Sequence, residues 1–301
     1  MKVKLFIKSF LPPIIIRLFR ILKKSSILKF ESPLRSIRRI IESSIKSFAI
    51  KDGLYICKTT CVDQLVEFFS KIQPITTNYE LIRLGGDSDG GYLIPNDLKG
   101  ISHCFSPGVS GEAYFENDLA KLGIGSFMAD YSVESPPIEN PLFKFEKKFL
   151  GISENKKYMR LNNWVDKNVE ISESDLILQM DIEGMEYDVI SDVSSDFLKR
   201  FRILVIEFHD LHQLFNPFGF KVISDSFKKL QEDFEIVHIH PNNEDRIISL
   251  ESFCVPPLME ITFLRRDRIL SSQQTLSFPH ILDRKTVPNK KDIILPDCWY
   301  N

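Results

Sequence analysis

The stretch Asp175–Ile190, DLILQMDIEGMEYDVI, decides how the rest of the chain is read. Leu176–Met180 is an apolar run of the length of one buried strand. It is followed at once by Asp181, Glu183 and Glu186, with Gly184 among them, and then by Met185, Val189 and Ile190 at helical spacing. Strand, acidic turn and helix in this order is how a parallel α/β sheet presents side chains at its carboxyl edge, where ligands bind. Helix capping accounts for Glu186 and reaches to Glu183. It does not account for Asp181, which directly follows the strand.

Further apolar runs flank this one. Ile101–Ser106, Ile124–Ala129 and Phe145–Ile152 precede it as expected first, second and third strands. Phe201–Phe208, Phe234–His240 and Met259–Arg265 follow as the fifth, sixth and seventh. Helical periodicity appears at 60–71, where Thr60 is placed to cap, and at 112–122, stopped by Gly123; 224–232 also reads as helix. Strands alternating with helices predict a Rossmann-like, doubly wound α/β sheet of seven strands. No crossover helix separates the last two strands, so the final strand is expected to be antiparallel. Ahead of the first strand, LIRLGGDSDGGYLIP (81–95) reads as two short strands joined by a glycine turn. Asp87 and Asp89 there resemble the start of a calcium loop, but no Glu stands at the twelfth position.

Composition adds a second theme. The chain has 301 residues and a formal charge of −2. Residues 1–51 hold thirteen Lys/Arg against Glu31 and Glu42, a net +11, so residues 52–301 carry −13. A basic arm on an acidic body points to an anionic partner. Apolar Ile14–Ile16, Leu18, Phe19, Ile21 and Leu22 alternate with bases after Pro13, as in a helix lying on an anionic membrane surface or packed on the body. No run approaches the ~20 residues of a spanning helix. No aromatic platform accompanies the bases, which argues against nucleic acid. The five cysteines show no paired spacing, so reduced thiols in a cytoplasmic protein are expected, docked peripherally on the inner face of the membrane where the arm binds it. The expected organisation is a basic extension over 1–59, a catalytic domain over 60–269 and a loosely attached tail over 270–301.

The first strand is followed by Pro-Gly-Val-Ser-Gly (107–111), and Asp130 ends the second strand 22 residues after Gly108. An acidic side chain at that position accepts hydrogen bonds from ribose hydroxyls, and glycines in the loop admit a close ligand. Gly108, Ser110, Gly111 and Asp130 are therefore candidate nucleoside-binding residues. Glu112, at the start of the next helix, would repel a pyrophosphate. S-adenosylmethionine (SAM), which has no phosphate and carries a sulfonium, tolerates such carboxylates. A nicotinamide-dependent sugar oxidoreductase on a similar sheet is the rival reading, and a non-catalytic membrane-docked protein a third.

MDIEGMEYDVI resembles the D-[VI]-E-G-x-E-x-x-[VL] signature of FkbM-type SAM-dependent methyltransferases. GGDSDGGYLIP, NNWV (162–165), VIEFHDL (205–211) and HIHPNN (238–243) are also similar to segments of that family, and the resemblance spans about residues 79–265. It implies a class I methyltransferase fold and methyl transfer to oxygen on a sugar, glycolipid precursor or secondary metabolite. The chain departs from the general pattern in its first loop, which has no preceding acidic residue and only two glycines. Candidate catalytic residues are Asp181, which would also meet the cofactor, with Glu183, Glu207, His209 and His240. One of His238 and His240 is expected to face the site, and His240, beside Pro241-Asn242-Asn243, is the candidate. The same groups would suit Mg²⁺ or Mn²⁺, but no spacing is diagnostic of a metal, and metal-free base catalysis by His209 is the expectation.

Overall fold

The computed structural model describes residues 31–301 apart from 52, 55 and 171–174, so the amphipathic stretch Ile14–Leu22 lies outside the described residues. The chain divides into two units, residues 1–57 and 58–301. In the first, helix α1 (Glu31–Lys51) exposes Ile40, Phe48 and Ile50. No described helix is long and apolar enough to cross a membrane.

The second unit opens with α2 (Val62–Lys71), β1 (Ile75–Thr77) and the hairpin strands β2 (Leu81–Leu84) and β3 (Tyr92–Pro95). Then come β4 (His103–Pro107), α3 (Tyr114–Lys121), β5 (Gly125–Ala129) and β6 (Phe143–Glu146). A small parallel pair, β7 (Phe149–Gly151) and β8 (Tyr158–Arg160), leads through α4 (Leu161–Asn168) to β9 (Leu176–Met180). Helices α5 (Glu186–Asp192) and α6 (Ser195–Leu198) precede β10 (Phe201–Phe208), and α7 (Pro217–Leu230) precedes β11 (Phe234–Pro241). The remaining strands are β12 (Ile248–Leu250), β13 (Phe253–Val255), β14 (Met259–Arg265) and β15 (Ser272–Gln274).

Seven strands form one sheet in the order β11-β14-β10-β9-β4-β5-β6. Only β14 is reversed, running antiparallel to both β10 and β11. This is the expected class I methyltransferase topology. The strand order reverses on either side of β4, and that switch point opens a crevice at the carboxyl ends of β4, β5 and β9.

Both faces of the sheet are covered, which is why β9 and β10 are apolar without interruption over most of their length. Leu176, Leu178 and Met180 of β9 and Leu204, Ile206 and Phe208 of β10 join the larger core, with α2, α5 and α7 residues. Ile177, Ile203 and Val205 point the other way, into a smaller cluster with Tyr92, Ile94, Phe115 and Leu119 of the hairpin and α3. Continuing each strand by its period of two puts Asp181 and Glu207 on this second face.

Three details differ from the sequence reading. The third sheet strand is Phe143–Glu146; the sheet pairing stops before Lys147, and 149–151 pairs with 158–160 instead. Thr60 does not cap α2: its hydroxyl donates to Leu214 O at 2.7 Å, and Cys61 stands at the cap without a side-chain bond. The tail, expected to be loosely attached, is packed. β15 pairs with β1, and Trp299 is fully buried, edge-on to Phe69 with its indole N–H on Cys254 O at 3.1 Å. Its aromatic burial escapes a periodicity argument because it comes from isolated residues in a segment without regular structure.

Candidate active site

The turn after β9 is built around Glu186. Its carboxylate is fully buried, and Oε1 accepts hydrogen bonds from Ile182 N and Gly184 N, both at 3.1 Å. These donors precede the helix, whose N-cap Met185 has no side-chain bond, so Glu186 braces the turn instead of capping α5 as the sequence suggests. Glu183 and Gly184 both have positive φ, 57° and 98°, so the chain doubles back and brings Glu183 beside His209. The same Glu186 oxygen accepts from His209 Nδ1 at 3.1 Å. With Nδ1–H held there, Nε2 is the nitrogen that faces the site. It lies 3.8 Å from Asp181 Oδ1 and 3.4 Å from Glu183 Oε2.

Electrostatics separates these groups into roles. Burial pushes the Asp181 carboxyl up to about 6; hydrogen bonding to Glu207 and the charge of His209 oppose it, while Glu183 and Glu186 add to it. Burial, then Asp181 and Glu260, raise Glu207 well above the carboxylate range, so Glu207 keeps a proton and donates it to Asp181. Glu207 Oε1 also accepts from Asn242 Nδ2 at 2.7 Å. Burial lowers His209, but the hydrogen bond and charge of Glu186, with Asp181 and Glu183, outweigh it and leave His209 above its ordinary value.

His240 stands apart. It pairs in register with Glu260, which pairs with Glu207, so His240 is two strands away from Glu207, roughly 10 Å. Its near neighbour is Asp283, 3.7 Å from Nδ1, and burial lowers its pKa. His238 does not turn away either: two residues apart on a strand, both imidazoles point the same way, and His238 Nε2 bonds Asp283 at 2.9 Å. The structure thus groups Asp181, Glu183, Glu207 and His209 and leaves His240 in a neighbouring cluster held by the tail.

On the other side of Asp181, the loop after β4 approaches the β9 turn. Gly108 has φ 91°, and a β-carbon there would lie 1.5 Å from Asp181 O. Ser110 N donates to Asp130 Oδ2 at 2.9 Å; Ser132 N and Oγ both donate to Oδ1 at 2.7 Å. Asp130 is buried and ties the ends of β4 and β5 together. A cavity of about 440 Å³ opens against it, lined by Gly108, Ser110, Asp130, Ser132, Asp181 and Glu183 on its polar side. Phe149, Leu150, Tyr158, Ile182 and Met185 form its apolar side. The sequence reading missed these apolar residues. Their signal is a short aromatic pair on β7 and β8, which only the pairing of those strands makes visible. A second cavity, about 300 Å³, shares Gly108, Ser110 and Asp181 with the first and includes Gly111 in its wall. Gly111 is exposed, and nothing described stands within 4 Å of a β-carbon built on it.

Residues 112–237 match the family model described as Methyltransferase FkbM domain. Over these residues the chain is similar to FkbM-type methyltransferases. The match contains the whole Asp175–Ile190 stretch, β9, β10 and their tips, and so bears out the resemblance carried by MDIEGMEYDVI. Among solved structures, the delta-N METTL16 MTase domain is similar at 10% identity and a TM-score of 0.27, over 79% of this chain and 98% of that one. No curated protein matches significantly. The sheet order, rather than that distant likeness, carries the fold assignment.

Proposed function

We propose that the chain is a SAM-dependent O-methyltransferase acting on a hydroxyl of a glycan, a glycolipid precursor or a secondary metabolite. The donor set fits SAM: a polar wall with Asp130 for a ribose diol, an apolar wall for a purine, and Asp181 where the two cavities meet. SAM, when bound, supplies a methyl carbon made electrophilic by its sulfonium. The chain's part is to hold the acceptor hydroxyl in line and to take its proton. A sugar hydroxyl is a poor acid and needs a positioned base.

The observation that carries this reading is the orientation of His209. Glu186 holds Nδ1–H, so in the neutral ring Nε2 is the proton acceptor, and Glu183 at 3.4 Å and Asp181 at 3.8 Å stabilise the imidazolium that forms. Glu207, keeping its own proton, fixes the Asp181 carboxylate by hydrogen bonding. Glu183, largely exposed, adds negative charge at the mouth. Asp181, Glu186 and His209 also offer ligand atoms within 4.8 Å of one another. The bond from His209 Nδ1 to Glu186 nevertheless favours a base over a metal ligand set that uses all three.

The test is single-turnover methylation, with the acceptor found by mass spectrometry of cellular glycans made with and without the protein. Asp181→Asn and His209→Ala should each lower turnover by about 10²-fold or more, the lower range for a positioned proton-transfer group. Wild-type turnover should survive EDTA. Full activity in both variants would place the chemistry elsewhere, and loss in EDTA reversed by Mg²⁺ would replace the base with a metal.

The basic arm is assigned to the anionic inner face of the membrane. Thirteen bases in residues 1–51 support it, as do the exposed Ile40, Phe48 and Ile50 of α1. Removing residues 1–51 should release the protein from anionic liposomes and leave SAM binding unchanged; indifference of the full chain to liposomes would refute the assignment.

A further inference from the structure

The hairpin β2–β3 has a role that the methyltransferase reading leaves open. Its tip, Gly85–Gly91, is held at both sides. Gly85 N donates to Asp118 Oδ2 of α3 at 2.9 Å, and Arg83 donates from Nε to Gly86 O at 2.5 Å and from Nη2 to Ser88 O at 3.1 Å. Gly85 has φ 97°, and a β-carbon there would lie 2.0 Å from Gly90 O, so the turn closes this tightly only with glycine. The result is that Asp89 and Gly90 form part of the wall of the 300 Å³ cavity, opposite the loop after β4.

That cavity has a chemistry different from its neighbour's. Asp89, Glu112, Glu116 and Asp181 line it, and among the described residues no Lys, Arg or His does. Ser106 donates to the buried Glu116 from below, tying it to β4. Asp89 and Glu112 stand at the open side. Burial raises the Asp89 carboxyl, and burial together with the charge of Asp89 raises Glu112. A cation bound beside Asp89 relieves its repulsion of Glu112. The cavity begins at Asp181, where the purine and ribose cavity ends, so a ligand that fills both carries its nucleoside in the first and a cationic end in the second.

We propose that Asp89, supported by Glu112, binds the α-ammonium of SAM, so that the hairpin supplies the carboxylate missing ahead of the glycines in the loop after β4. The proposal rests on the SAM reading above. It makes Asp89 a cofactor-selecting residue brought in from outside the strand–loop–helix unit that holds the nucleoside.

Calorimetric titration of the full chain with three probes tests it: SAM, decarboxylated SAM, which keeps the ammonium, and 5′-methylthioadenosine, which lacks the amino-acid end. Asp89→Asn should weaken SAM and decarboxylated SAM by about tenfold or more, the loss of one charge-assisted hydrogen bond. It should leave 5′-methylthioadenosine affinity unchanged, and Glu112→Gln should act in the same direction. Equal SAM affinity in wild type and Asp89→Asn would overturn the proposal, as would an equal loss for all three probes, which would mark the hairpin as merely structural. A wild-type chain that binds neither SAM nor 5′-methylthioadenosine would instead defeat the SAM reading itself, and this proposal with it.

Discussion

A β-carbon on Gly108 would lie 1.5 Å from the carbonyl oxygen of Asp181. The loop after β4 and the tip of β9 therefore touch backbone to backbone, and Asp181 N donates to Pro107 O at 3.3 Å beside that contact. This junction separates the two cavities, and both use Gly108 and Asp181 as wall.

Gly108→Ala should then damage the site from its centre. The left-handed φ of 91° costs an L-residue about 1–2 kcal/mol, and the overpacking about 1–3 more. Urea denaturation should show a loss of about 2–5 kcal/mol, with SAM binding falling below detection. Wild-type stability and affinity in the variant would mean that the two loops are not joined in this way.

Glu260 predicts a pH dependence. Burial pushes its carboxyl from the ordinary 4.5 up to about 8, against the opposing charge of Arg83. Between these values the folded protein holds a proton that the unfolded chain has lost. Stability from this group is therefore full below pH ~4.5, falls as pH rises, and levels off above about 8. Glu260→Gln imitates the protonated form and should flatten that slope when melting temperature is followed from pH 5 to 9. An unchanged slope in Glu260→Gln would assign it to other groups.

Asp97 anchors the lower end of the sheet. It accepts from Arg202 Nη1 at 3.3 Å and from Arg268 Nε and Nη2 at 2.7 and 3.0 Å, and both Asp97 and Arg202 are buried. Asp97→Ala leaves the buried Arg202 charge without this partner and should cost about 3–5 kcal/mol by denaturation. SAM affinity of the folded fraction should be unchanged, because Asp97 is in neither cavity wall. A loss under about 1 kcal/mol would show that Asp175, the other acidic partner of Arg202, carries the pairing alone.

How far the sequence discloses this architecture follows from what each signal depends on. β9 and β10 are legible because burial on both faces demands unbroken apolar runs. Asp181, Glu207 and His209 are legible because they break those runs at one edge of the sheet. Phe149 and Tyr158 are not, since their role depends on a small parallel pair outside the main sheet. His240 reads as a site residue from its place at a strand tip, but the insertion of β14 between β10 and β11 moves it one strand further off. The GGDSDGGY turn could be recognised as a hairpin, but only its bonds to Asp118 and Arg83 show what it faces.

The central claim, that this site holds SAM through Asp130, is tested most directly by titrating SAM and NAD into the wild type and into Asp130→Ala. SAM should bind the wild type at one site and NAD should not. Asp130→Ala should weaken SAM by one to two orders of magnitude, a charge-assisted hydrogen bond being worth about 1.5–3 kcal/mol. Binding of NAD in place of SAM, or SAM affinity unchanged in a folded Asp130→Ala protein, would contradict it.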